Sequence, residues 1–287
     1  MMASMLGYSS SNSIYNCNIS NNWYGIRLGY SSSNSIYNCD FIGDGIAIDG
    51  NALSHFIHDI YNNTVNGKPL SYYKNENNIV LDGNAGEIIL ANCSDFDIVN
   101  MNISNTDFGI EIAYSSEISI SNCNISNNWY GIWLEYSSSN SIYLNNFVGN
   151  YDNAVSYNST NIWHSPEPIT YTYNGNVYTN YLGNYWDDYN GSDANGDGIG
   201  DTPYYIGGDY DYYPLMQSWE NYEKKSSHPW DLNYDNTVNI LDLIMVAMHF
   251  GSHEGEAGYD AGVDLNNDKE INILDLIIVA MHFGEQY

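Results

Sequence analysis

Residues Tyr8–Gly29 read YSSSNSIYNCNISNNWYGIRLG, and the chain says this more than once. The motif returns at Tyr30 as YSSSNSIYNCDFIGDG, at Tyr114 as YSSEISISNCNISNNWYGIWLE and at Tyr136 as YSSSNSIYLNNFVGN, with weaker copies near Ser54 and Asn92. Where no insertion intervenes the period is 22 residues. Self-similarity at such a period marks a solenoid, in which no repeat buries its own core. One phase is aliphatic throughout: Ile14, Ile36, Ile60, Ile98, Ile120 and Ile142. Five residues on lies a second strip, Ile19, Phe41, Val65, Ile103, Ile125 and Phe147, and a third contains Ile26, Ile110 and Ile132. Three short apolar strips per repeat, parted by Asn, Ser and Gly, predict three short strands per coil. Coils then stack at about 4.8 Å, like residue above like. The expected fold is mainly β, a right-handed parallel β-helix of 22-residue coils.

The corners carry their own signal. Asn16, Asn38, Asn62, Asn100 and Asn122 share one phase. Asn tolerates left-handed backbone, and its amide can bond to the coils above and below. Cys17, Cys39 and Cys123 share the next phase, with Met101 in the same slot; Cys93 lies elsewhere. They read as small buried residues in preference to a soft-metal site. In GIRL, GIAI, GIEI and GIWL, the alternation projects Arg27, Ala47, Glu111 and Trp133 outward, a stripe that could meet a sugar. The remaining acids, such as Asp40, Asp49, Asp95 and Asp107, fall at turns in other phases, and His55, His58 and His164 read as surface residues. No catalytic residue is identified.

Composition narrows the function classes. The chain has 287 residues, 43% hydrophobic, with 35 acids against 6 bases and a net charge of −29. That balance excludes nucleic-acid and anionic-membrane partners, which need Lys and Arg. It suits divalent cations. No run of 18 apolar residues predicts a membrane span. The start, MMASMLGYSS, has neither a basic nor an apolar signal region and lies inside a repeat, so a truncated start is expected. Seven Asn-x-Ser/Thr sequons (Asn18, Asn62, Asn92, Asn102, Asn124, Asn158, Asn190) are compatible with a secreted surface.

Two regions predict calcium. SDANGDGIGDTPY places oxygen ligands at Asp193, Asn195, Asp197 and Asp201, with the carbonyl of Ile199, as in the first nine positions of an EF-hand loop. Tyr204 stands where the closing acid would be, and Asp187 or Asp188 could supply that oxygen. Further on, DLNYDNTVNILDLIMVAMHFG at Asp231 recurs at Asp264 as DLNNDKEINILDLIIVAMHFG, an offset of 33 with 16 of 21 positions identical. Each copy opens as a twelve-residue calcium loop. The first offers Asp231, Asn233, Asp235, the Thr237 carbonyl, Asn239 and Asp242; the second offers Asp264, Asn266, Asp268, the Glu270 carbonyl, Asn272 and Asp275. Alternate side chains face the ion, position seven gives backbone, and the last acid closes the shell. Position six, usually Gly, is Asn236 or Lys269, so the second site is expected to be the weaker. Val238 and Ile271, at position eight, are expected to pair with one another.

In the helices that follow, Leu243, Val246, Ala247 and Phe250, with Leu276, Val279, Ala280 and Phe283, form faces that can pack together. A second apolar surface is left over: Ile240, Leu241, Ile244, Met245 and Met248, with Ile273, Leu274, Ile277, Ile278 and Met281. A spare apolar surface on a small unit marks a partner site.

Two resemblances sit on these residues. NTVNGKPLSYYKNENNIVLDG followed by IILANCSDFDIVNMNISNTDFGIEI, and the tail GNYWDDYNGSDANGDGIGDTPYYI, resemble the NosD-like β-helix family over residues 6–216. That likeness implies fold and surface location. The duplicated loops resemble type I dockerins, which implies two calcium ions and a cohesin-like partner. The expected organisation is a β-helix at 1–216, a linker at 217–228 and a dockerin-like module at 229–287. The expected function is calcium-dependent attachment to a cohesin, outside the cell or at its surface, displaying a β-helix that binds carbohydrate. The alternative is a polysaccharide hydrolase or lyase assembled through its dockerin.

Overall fold

The protein is described by a computed structural model covering residues 2–224, 228–233, 237–256 and 258–286. Two compact units result. The first comprises Met1–Pro168 with Asn180–Tyr222, and the second Ile169–Thr179 with Glu223–Tyr287. In the second, the strand Ile169–Tyr173 pairs antiparallel with Glu223–Lys224, Tyr171 opposite Lys224. Part of the segment read as linker is therefore strand.

The first unit is a parallel β-solenoid, and its register follows the repeat. Ile14 lies beside Ile36, and Ile36 beside Ile60. Ile19, Phe41 and Val65 stack likewise. In the later copies Ile98, Ile120 and Ile142 form one row, and Ile103, Ile125 and Phe147 another. The third row runs Ile88, Ile110, Ile132, Ala154. A shift of one residue would turn every aliphatic side chain outward, so the strips hold the register.

Each corner divides its labour between two residues. Asn16, Asn38, Asn62, Asn100 and Asn122 all take φ between +54° and +56°, and Leu144 takes the same slot at +53°. The expected amide ladder is built one position later. Asn63 Oδ1 accepts from Cys39 N at 2.9 Å, Asn145 Oδ1 from Cys123 N at 3.0 Å, and Asn145 Nδ2 donates to Asn184 Oδ1 at 3.0 Å. The left-handed residue reverses the chain, and the next side chain points inward. Cys39 and Cys123 occupy that inward slot and are buried. A parallel ladder runs Asn12, Asn34, His58: Asn34 N donates to His58 Nδ1 at 3.2 Å. His58 is thus buried where a surface residue was expected, and burial lowers its pKa to about 4.

The coils form two stacks rather than one. Thr64–Val65 ends the first, and after Asn66-Gly67 it pairs antiparallel with Lys68–Lys74, which starts the second. Strands Glu87–Ala91 and Phe108–Ala113 are buried along their whole length. Their inner residues, Ile88, Leu90, Ile110 and Ile112, fill the second core. Ile89, Ala91 and Ala113, on the opposite face, complete the first core against Ile26, Leu28, Ile46 and Ile48. The first stack ends on strand Ile46–Asp49, whose spare N–H groups need acceptors. Ile46 N donates to Glu87 Oε1 at 3.1 Å and Ile48 N to Glu111 Oε2 at 3.2 Å. Ala47 and Glu111 are consequently buried. The outward stripe expected of Arg27, Ala47, Glu111 and Trp133 is broken, because one stack covers the outer face of the other.

Candidate calcium loops, docking face and solenoid cleft

Two helices follow the duplicated loops, α1 (Ile240–His249) and α2 (Ile273–Met281). Each starts where its loop ends. Asn239 and Asn272 are the N-caps, and Asp242 and Asp275 complete capping boxes from the third helical position. Asp242 Oδ2 accepts from Asn239 N at 2.8 Å while Oδ1 accepts from Leu232 N at 2.7 Å. Asp275 repeats both contacts with Asn272 N and Leu265 N, each at 2.8 Å. The last acid of the loop therefore ties the loop's start to the helix's start. Asp231, Asp242, Asp264 and Asp275 are all buried.

The second loop is wound around its own oxygens. Asp264 Oδ2 accepts from Lys269 N at 2.8 Å, Asn266 Oδ1 from Asp268 N at 3.0 Å, and Asp268 Oδ1 from Glu270 N at 3.0 Å. Lys269 holds φ +75°, the turn that position six demands. In the first loop Asp235 and Asn236 lie outside the described residues. The Asp193 loop repeats the same pattern. Asp193 Oδ2 accepts from Gly198 N at 2.8 Å, Asn195 Oδ1 from Asp197 N at 3.1 Å, and Asp197 Oδ1 from Ile199 N at 2.9 Å. It closes differently: Asp201 Oδ2 takes Ala194 N and Ser192 Oγ, each at 3.0 Å. Asp187 and Asp188 both accept from Asn153 Nδ2 at 3.1 Å. Among the described residues no three His, Cys, Asp or Glu side chains gather as a metal site. A full calcium shell would therefore draw on Asn amides and backbone carbonyls, the hard oxygen donors that calcium accepts.

Position eight departs from expectation. Val238 N donates to Glu285 O at 3.0 Å and Gly284 N to Val238 O at 2.8 Å; Ile271 N donates to Ser252 O at 2.9 Å and Gly251 N to Ile271 O at 2.7 Å. Each loop pairs with the segment that follows the other helix, instead of loop with loop. With no helix entering either loop, the exit of the opposite helix supplies the strand partner. Val238, Ile271, Val246 and Val279 share one buried core. Leu243, Leu276 and Met245 pack against it, but Ala247, Phe250, Ala280 and Phe283 are exposed, so the internal face is narrower than the sequence suggests. The outer face matches between copies: Leu241 and Leu274 are 51% and 50% exposed, and Met248 and Met281 are 76% and 75%. Ile240, Ile244, Ile273 and Ile277 are exposed beside them, while Ile278 is half-buried.

The solenoid holds a cleft of about 80 Å³ lined by Tyr24, Arg27, Ala47, Ile48, Asp49, Phe108, Tyr130 and Trp133. Arg27 Nε donates to Asp49 Oδ2 at 2.8 Å. Tyr24, Phe108 and Tyr130 escaped sequence reasoning, because only the meeting of two stacks brings them together. Buried acids crowd nearby. Burial, with the neighbouring Asp107 charge, pushes Glu87 well above the usual carboxylate range; burial, with Glu87 and Glu135, does so for Glu111. Burial raises Asp107 to about 6 and Glu135 to about 7. Burial also raises the Cys39, Cys93 and Cys123 thiols, Cys123 to about 12.

Comparison with known families agrees with this architecture. The family model described as periplasmic copper-binding protein (NosD) matches residues 2–191, and the dockerin type I domain model matches residues 229–284. Neither a curated protein nor a solved structure matches the chain. Dockerin type I domains bind calcium and imply a cohesin partner. A solenoid of this register, matched over well more than half of its chain, belongs to the NosD family and carries a type I dockerin domain at residues 229–284.

Proposed function

We propose that this is an extracellular or cell-surface protein that docks onto a cohesin through residues 229–287, with calcium in both dockerin loops, and displays a solenoid that contacts carbohydrate. The observation that carries the docking is the paired exposure of the two helix faces. Two copies of one apolar surface, Ile240, Leu241, Ile244 and Met248 against Ile273, Leu274, Ile277 and Met281, are held out of the core by near-identical packing. The ligands are Asp231, Asn233, Asp235, Thr237, Asn239 and Asp242 in one loop, and Asp264, Asn266, Asp268, Glu270, Asn272 and Asp275 in the other. The Asp193 loop shares the turn of the second dockerin loop and is proposed as a third calcium site. The family's printed description concerns copper. In this chain the buried thiols are pushed toward the protonated form, which is not the ligand form, and the reading does not extend to that metal.

Near-equivalent faces make two docking poses available at one-to-one stoichiometry. Leu241→Asp alone then weakens cohesin binding only a few-fold, as does Leu274→Asp, because the other copy substitutes. The double mutant loses binding almost entirely, since an unpaired carboxylate is buried in either pose. Titration calorimetry against a cohesin, with calcium and then with chelator, reads both claims. Large additive losses from the single mutants would end the two-pose idea, and binding unaffected by chelator would end the calcium dependence.

A further inference from the structure

We infer that the cleft between the two solenoid stacks is a carbohydrate subsite that receives the edge of a neutral pyranose from an uncharged polysaccharide. The inference rests on the reading that the solenoid contacts carbohydrate, and it names the place and the ligand class. The cleft combines the two surfaces that sugars need. Its walls are aromatic: Phe108 and Tyr130 stack at 5.0 Å, and Trp133 stands edge-on to Tyr130 at 4.9 Å. The Arg27 guanidinium lies over the Tyr24 ring, 5.3 Å from its centroid. Apolar C–H faces of a pyranose pack on such rings, while its hydroxyls need donors and acceptors. Asp49 uses only Nε of Arg27, and among the described residues the terminal nitrogens make no other hydrogen bond. Those donors remain available beside the Asp49 carboxylate.

A second observation comes from behind the wall. Glu111 Oε1 is buried and has no hydrogen-bond partner among the described residues. Its other oxygen takes the N–H of Ile48, which lines the cleft, and Glu111 pairs across the sheet with Trp133, which lines it too. Unmet buried polar atoms are uncommon in folded proteins and call for a partner. Outside, the aromatic surface continues. Trp23 and Trp129, each one residue before a cleft tyrosine, approach to 6.0 Å, and Trp129 stacks on Tyr151 at 4.3 Å. Trp23 is 68% exposed. A cleft of 80 Å³ holds about two or three waters' worth of volume, which suits a hydroxymethyl group better than a whole ring. The ring itself would lie on the outer aromatics.

Charge sets the ligand class. Among the described residues Arg27 is the sole cation lining the cleft, and it is already paired with Asp49. On a chain of net charge −29, a uronate would meet an unfavourable field. The test uses the full-length protein, calcium present, titrated by tryptophan fluorescence with cellohexaose, mannohexaose, xylohexaose and hexagalacturonate. At least one neutral hexaose should bind, with affinity reduced tenfold or more by Trp133→Ala and several-fold by Arg27→Gln. Arg27→Gln serves where Trp133→Ala fails to fold, since its side chain is half-exposed; far-ultraviolet circular dichroism checks both. Neutral binding that ignores both variants would overturn the cleft and leave the carbohydrate reading standing. Binding of hexagalacturonate alone would overturn the ligand class. Binding of none of the four would overturn both readings together.

Discussion

The solenoid and the dockerin domain both bury carboxylates, and they do so for opposite ends. In the solenoid, Glu87, Glu111 and Asp211 sit in protein, capped by backbone N–H groups, and burial favours their protonated forms. In the dockerin, Asp231, Asp242, Asp264 and Asp275 are just as buried but stand in the loops proposed to hold a cation, and in the second of these Asp264 and Asn266 accept from the loop's own backbone N–H groups. A buried carboxylate is costly unless it is neutralised. One region meets the cost with a proton; under the proposed function the other would meet it with calcium. The comparison teaches that the two units should respond in opposite senses to acid and to chelation.

Chelation should produce the largest effect. The dockerin core of Leu232, Val238, Val246, Val263, Ile271 and Val279 is small, and small domains of this kind lean on bound metal. Excess chelator should abolish the helical circular dichroism of α1 and α2 and leave the solenoid folded, its thermal transition lowered only by what the proposed Asp193 site contributes. Helices that persist without calcium would break the contrast.

Acid should act on the solenoid next. The pKa values of Glu87, Asp107, Glu111, Glu135 and Asp211 are raised in the folded state, so at these groups the folded form binds protons more tightly than the unfolded one. The stability they contribute is full below the unfolded values near 4 and is lost as pH rises through about 6 for Asp107 and about 7 for Glu135 and Asp211. The solenoid's melting temperature should therefore be higher at pH 5 than at pH 8. Calcium affinity of the dockerin should move the other way, because protons compete with the metal. Glu111→Gln should flatten the solenoid's pH profile and raise its melting temperature at pH 8. A profile unchanged by this substitution would assign the slope to other groups.

Two smaller tests sharpen the local geometry. Asn38 is exposed at φ +55°, so Asn38→Gly should be nearly neutral, whereas Asn38→Ala should cost about 1 kcal/mol in chemical denaturation. Lys269→Gly relieves φ +75° at position six and should tighten the second calcium site a few-fold by calcium titration. Equal behaviour of Ala and Gly at position 38 would mean that the corner is not held left-handed in solution.

Much of this molecule was legible because its signals are local or periodic. The 22-residue repeat determined the strips, and strand stacking leaves them one register; the left-handed corners follow from Asn at one phase. The duplicated helices with a spare apolar face were equally readable, since helical period is written in the chain. Tertiary structure alone decided the rest. Whether the coils formed one stack or two depended on what Thr64–Val65 and Lys68–Lys74 did after a two-residue turn, and no periodicity records that. The second stack's outer face, which carries Ile89, Ala91 and Ala113, became the cap of the first; this buried Ala47 and Glu111 and drew Tyr24, Phe108 and Tyr130 into one cleft. In the dockerin, the exchange of partners between Val238 and Gly284 and between Ile271 and Gly251 was likewise set by how two helices pack, a contact between residues more than 15 positions apart. Sequence patterns specify what each segment must bury or bond, and only the folded chain specifies which distant segment answers.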